Sequence, residues 1–195
     1  MDELVTARVA TALTAVTKED DMANDILRDL FDHMEWADAR VWDVALKTPE
    51  ARGDETLRWL MLHFHGVQKA FLDAWTNQPF AFPKNYAGTS LEAELASVRD
   101  YYPRGRQFLQ SLDDARLAAP IVLPWSKWIE RAIGRPPGPI TLGETIVQVF
   151  THSGHHRAQA NARLRALGAE PPLIDYIGWL WHERPAPAWP EAVSS

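Results

Sequence analysis

The chain has no cysteine among its 195 residues. That absence removes disulfides, thiolate metal sites, iron–sulfur clusters and any cysteine nucleophile. A metal site here must therefore be built from imidazole and carboxylate. An excess of basic charge is missing too. Twenty Lys and Arg stand against 26 Asp and Glu, for a net charge of −6 and a pI near 5.6. Neutralising phosphates needs a clustered surplus of Lys and Arg, so no nucleic-acid partner is expected. No apolar run reaches the roughly 18 residues that a membrane span needs, so no membrane partner is expected either. Met1-Asp2-Glu3 places no basic segment ahead of the apolar Ala10–Val16, so no secretory signal is expected and the expected location is cytoplasmic. The length suits one domain with a sizeable core. What the chain does have in quantity is tryptophan, nine of them, and seven histidines.

Apolar spacing predicts helices. From Asn24 to Leu46, Leu27, Leu30, Met34, Ala37, Val41 and Ala45 recur at steps of three and four, one face of a helix that Thr48-Pro49 ends. A second helix from Asp54 to Thr76 carries Leu57, Leu60, Phe64, Val67 and Phe71. Thr89-x-x-Glu92 has capping-box spacing and opens a third, whose stripe runs from Leu91 to Leu112 with Pro103 inside it. Thr141-x-x-Glu144 opens a fourth, ending at Leu167 with Gly168 as its C-terminal stop. Between helices three and four lies a long irregular crossover, Pro120 to Pro139, with five prolines and two glycines, to which no firm structure is assigned. The expected fold is all-α, a four-helix bundle over residues 22–183. Residues 1–21 form an extension expected to be frayed or a short helix, and 184–195 a Pro-rich mobile tail.

Six of the seven histidines fall in these helices, three of them between Thr151 and Arg157. His152 and His156 stand at i and i+4, so their rings leave one helix face a turn apart, close enough to share a metal ion. They follow the inward side traced by Thr145, Val149 and Ala160, whereas His155 sides with Gln148 and Gln159 at the rim. In helix two, His63 lies between Leu60 and Val67 on the apolar side, and His65 points away from it. His63, His152 and His156 would make three neutral nitrogen ligands with an open position, the form of a catalytic rather than a structural site. Spacing alone leaves another reading open, because an i, i+4 His pair is more often packed or solvated than metal-bound. Against that stands a cost. Two imidazoles facing a bundle interior need partners for four ring nitrogens, and a metal would satisfy two at once.

The run Val147-Gln148-Val149-Phe150-Thr151-His152-Ser153-Gly154-His155-His156-Arg157-Ala158-Gln159 resembles the His-x-x-x-His-Arg-x-Gln signature of the DinB/YfiT-like family. Leu60-Met61-Leu62-His63, with Gln68 and Phe71 following, is similar to that family's second-helix motif. Trp36-Ala37-Asp38-Ala39-Arg40 resembles its Trp-Ala-Asn segment, and Ala166-Leu167-Gly168 with Pro171-Pro172 and Asp175-Tyr176 its exit from the last helix. The resemblance spans roughly Ile26 to Trp181. It implies a bundle that holds a divalent metal, commonly zinc or nickel, through three histidines, here His63, His152 and His156. Characterised activities in the family include thiol-dependent S-transfer and a thiol-dependent isomerisation, and its name comes from damage-inducible genes. Two residues depart from the pattern: Gln68 stands where a carboxylate is frequent, and Asp38 where Asn is usual.

The expected function is thus a metal-dependent S-transferase, with a low-molecular-weight thiol as cosubstrate and a small electrophile as substrate. No residue is assigned a catalytic step. Asp38, Gln68 and Arg157 are the candidates for supporting the centre, Asp38 by accepting a ring N–H from a ligand histidine. A solvated helix position for Asp38, and an ordinary surface charge for Arg157, are the competing readings. Trp125, Trp128, Trp179 and Trp181 could line an apolar pocket or pack the bundle ends. Two other functions stay open: a hydrolase working with metal-bound water, and a non-catalytic metal-binding or stress-response bundle, including a homodimer that presents Trp-rich surfaces to a partner.

Overall fold

A computed structural model of the chain describes residues 3–79 and 88–191, with side chains described from residue 24 onward. α1 (Glu3–Lys47) is a single helix of 45 residues. Neither glycine nor proline occurs before Pro49, so nothing in the backbone stops it earlier. Residues 3–21, expected as a frayed or short-helical extension, are accordingly part of this helix. The short α2 (Pro49–Arg52) follows, and α3 (Glu55–Trp75) starts where the Asp54 side chain accepts the Leu57 N–H. α4 (Leu91–Gln110) continues through the exposed Pro103. Its cap is Ser90, whose hydroxyl accepts the Ala93 N–H; the Thr89–Glu92 capping box expected there does not form, because the helix begins one residue later.

The expected irregular stretch contains local order. α5 (Asp114–Leu117) leads into β1 (Pro120–Ile121), then α6 (Ser126–Ile133) and β2 (Ile140–Thr141). The strands pair antiparallel, Pro120 opposite Thr141 and Ile121 opposite Ile140. α6 ends at Gly134, whose φ of 74° is the left-handed conformation that closes a helix. α7 (Leu142–Ala166) opens with the full Thr141–Glu144 capping box, and α8 (Tyr176–Trp181) lies beyond it.

Side-chain pairs set the directions of the long helices. Asp54 at the start of α3 accepts from Arg163 near the end of α7 (3.0 Å), and Trp75 at the end of α3 donates to Thr145 at the start of α7 (2.9 Å), so α3 and α7 run antiparallel. Trp42 meets His65 while Asp38 meets Gln68, which makes α1 antiparallel to α3. Arg52 reaches Glu92 at the start of α4, and Trp75 stacks on Phe108 near its end, so α4 runs parallel to α3. The bundle is therefore up-down-down-up. One core fills it, from Phe31, Trp42, Phe64 and Leu72 to Tyr102, Ile146 and Leu164. A smaller cluster joins Trp36 and Ala37 to Trp179.

The described part of the Pro-rich stretch after Arg184, residues 185–191, is held against α1. Arg184 pairs with Asp29 at 2.8 Å, and Trp189 donates to Glu35 at 3.1 Å while packing on Tyr102. Its indole and its charge supply what proline, lacking an N–H, cannot. Among the described residues, no helix is long and apolar enough to cross a membrane.

Candidate metal centre

Antiparallel pairing of α3 and α7 sets His63 opposite His152 and His156. The ring centroids of His63 lie 5.3 Å from His152 and 4.7 Å from His156, and those of His152 and His156 are 4.4 Å apart. One ligand atom from each residue lies within 4.8 Å of the other two. All three side chains are half-buried along the seam between the helices. They flank the core stripe and do not lie on it. The buried positions of α7 are Leu142, Thr145, Ile146, Val149, Ser153, Arg157, Ala160 and Leu164, which include Thr145, Val149 and Ala160 of the side traced from sequence but neither of its two histidines. His155 is exposed and 3.1 Å from the Gln159 amide, a rim residue as expected.

The polar atoms in this seam fit a divalent cation. His152 Nε2 is buried and has no hydrogen-bond partner, a costly state for an imidazole nitrogen unless something binds it. His156 Nδ1 lies 2.7 Å from Gln159 Oε1, so that nitrogen carries the proton and Nε2 keeps a free lone pair. Burial, followed by the neighbouring imidazoles, pushes His152 down to about 4. Burial also lowers His63, with His156 adding to it, and lowers His156 itself. The three rings are therefore neutral at neutral pH, the form in which histidine ligates a metal. Such a donor set, all nitrogen and open on the solvent side, accepts zinc, nickel and other first-row ions.

Asp38, Gln68 and Arg157 are placed elsewhere, and both the solvated Asp38 and the surface Arg157 are corrected. Asp38 is 0% exposed and Arg157 4%. Arg157 Nε lies 3.0 Å from Asp38 Oδ1 in an ion pair whose N–H is angled off the oxygen. Asp38 also accepts from the Tyr102 hydroxyl and from Gln68 Nε2 (3.0 Å). Gln68 donates to Ser153 Oγ at 3.0 Å as well, and its carbonyl oxygen meets His65 Nδ1 at 2.8 Å. Trp42 Nε1 donates to His65 Nε2 at 2.7 Å. Among the described residues no hydrogen bond joins Asp38 to any of the three histidines, so it does not orient a ligand ring. Its Oδ2 accepts from α3 and α4, and its Oδ1 faces the Arg157 guanidinium of α7.

This network ties α1, α3, α4 and α7 together beneath the three histidines, because Ser153 and Arg157 each follow one of them in the chain. His65 belongs to it, buried at 7% exposure and not turned outward as expected. In a bundle α3 has neighbours on most sides, so a position off the main stripe is still covered. Sequence analysis missed Tyr102, Ser153, Trp42 and Trp59 as neighbours of this region. Tyr102 falls within the third-helix stripe between Leu91 and Leu112, where spacing does not mark its hydroxyl. Trp125 packs on Phe71, Trp128 and Trp181 are exposed, and Trp179 is buried in the Trp36 cluster. The indole beside the three histidines is Trp59, stacked on His63.

A family model described as the DinB superfamily matches residues 27–160, which include all three histidines and the network below them. The chain belongs to the DinB superfamily. No curated protein and no solved structure matches it. A separate cleft of about 680 Å³ between α3 and α4 is lined by His65, Lys69, Asp73, Tyr101 and Arg104, on the other side of α3 from this DinB-like seam.

Proposed function

We propose that this DinB superfamily member is a metal-dependent thiol S-transferase in which His63, His152 and His156 hold a divalent ion, zinc or nickel. The observation that carries the metal site is the buried, unpartnered Nε2 of His152 among neutral imidazoles. Bound there, a divalent ion supplies Lewis acidity, which lowers the pKa of a small thiol from near 8.5 into the neutral range. The chain's own residues do the rest. Gln159 keeps the proton of His156 on Nδ1, so Nε2 stays a donor toward the centre. Ser153 and Arg157, fastened to Gln68 and Asp38, hold α7 in the rotation that presents both of its histidines to α3. Because the chain has no cysteine, the sulfur must arrive on a small molecule, and the electrophile is a second one.

A panel of low-molecular-weight thiols with a chromogenic electrophile, assayed with metal-loaded and chelator-stripped protein, tests this. Turnover above the metal-only control that vanishes on stripping is expected. Bound metal with no thiol-dependent turnover would overturn the transferase reading and leave the binding bundle. Metal-dependent cleavage of esters or amides without thiol would favour the hydrolase.

A further inference from the structure

Trp59 is out of keeping with the other indoles of the bundle helices. Trp36, Trp42 and Trp75 are at most 6% exposed, whereas Trp59 is 48% exposed. It is nonetheless not a loose surface side chain. Its ring lies parallel to His63, with centroids 4.7 Å apart and planes 6° apart, and stands edge-on to His156 at 6.4 Å. Residues 59 and 63 are one turn apart on α3, so the stack is built into the helix. One indole face is spent on His63, and the rest is offered to solvent at the mouth of the three-histidine seam. Burial of such a face is worth more than its area alone when the partner is another flat π-system.

We propose that Trp59 is a substrate-binding and specificity-determining residue, an indole wall on which a flat, conjugated electrophile stacks beside the metal position. This rests on the metal-dependent transferase reading above. A saturated or very small electrophile gains little from the wall. An aromatic or extended unsaturated one is oriented with its reacting carbon toward the three histidines. For 1-chloro-2,4-dinitrobenzene the transfer balances simply. The thiol sulfur forms a bond to the ring carbon, chloride leaves with the carbon–chlorine pair, and the thiol proton passes to solvent.

The test uses full-length, zinc-loaded protein as wild type, Trp59→Phe and Trp59→Ala, each first checked for metal content and thermal midpoint. Binding of 2,4-dinitrotoluene, a flat ring without a leaving group, is measured by equilibrium dialysis. Kinetics with one small thiol are measured for 1-chloro-2,4-dinitrobenzene and for iodoacetamide. Trp59→Ala is expected to weaken dinitrotoluene binding and raise KM for the aromatic electrophile about five- to tenfold, with iodoacetamide unchanged and Trp59→Phe close to wild type. Dinitrotoluene binding that is equal in wild type and Trp59→Ala, or absent in both, would overturn the proposal, as would an equal loss with both electrophiles. Ring binding that depends on Trp59 in a protein without turnover would support the indole wall while refuting the transferase reading, so the two failures are distinguishable.

Discussion

Replacing Asp38 with Asn tests whether the buried network holds the bundle together. The substitution keeps the shape of the side chain, and Asn can still accept from Tyr102 through its remaining carbonyl oxygen. What it removes is the negative charge facing Arg157, at a position where Asp38 and Arg157 side chains are 0% and 5% exposed. A guanidinium left without its counter-charge in a core costs about 3–5 kcal/mol. In a chain of this size each kcal/mol moves the melting temperature by roughly 2–4 °C, so a fall of about 6–20 °C is expected. Chemical denaturation of Asp38→Asn, Arg157→Met and the double variant closes a thermodynamic cycle. The double variant, having neither charge, should be less destabilised than the sum of the singles by about 2 kcal/mol or more. Stability of Asp38→Asn within about 1 kcal/mol of wild type, or additive singles, would refute the reasoning.

Two further outcomes follow from buried groups. Burial is the main cause that lowers the His65 imidazole from its ordinary 6.5 to about 4. Between those values the unfolded chain binds the extra proton. The stabilisation is therefore complete above pH 6.5 and is lost as pH falls toward 4, by about 3 kcal/mol for this residue. Protonation would also break the Trp42 bond to Nε2. Denaturation of chelated protein should show that slope reduced in His65→Leu, and an unchanged slope would contradict the assignment. Gly105 is buried in α4, where a Cβ would lie 2.5 Å from Cζ of the buried Phe31. Gly105→Ala should therefore lower stability by about 1–3 kcal/mol, against the roughly 1 kcal/mol that alanine normally gains in a helix. Phe31→Leu should relieve it, and a thermal midpoint at or above wild type for Gly105→Ala alone would contradict the close approach.

The four long helices were legible because their apolar residues recur every three or four positions and their ends carry caps. The three histidines were legible from helix faces, and the structure brings those three together. The network beneath them was not, although a signal was present. Phe64, Gln68 and Phe71 continue one stripe at steps of four and three, as do Met34, Asp38 and Val41, and Val149, Ser153 and Arg157 fall on the corresponding face of α7. A polar residue in such a stripe is either solvated or paired across the core. Only the partner helix decides which, and that partner is a long-range contact without trace in local spacing. His65 was misplaced for the same reason, since coverage of its side of α3 depends on α1 and α4. The unbroken α1 was readable in principle from the absence of glycine and proline before Pro49. The order within 111–141 depends on a strand pairing of two residues per side, too short to pattern.

The central claim is that His63, His152 and His156 form a metal site, and the most direct test is calorimetric titration of chelator-stripped protein with zinc. The account predicts a single saturable ion per chain, binding weakened by about a hundredfold or more in His152→Ala and within a few-fold of wild type in the rim variant His155→Ala. Both variants should first be shown folded by thermal denaturation. No binding to the wild type, or equal loss in the two variants, would contradict it.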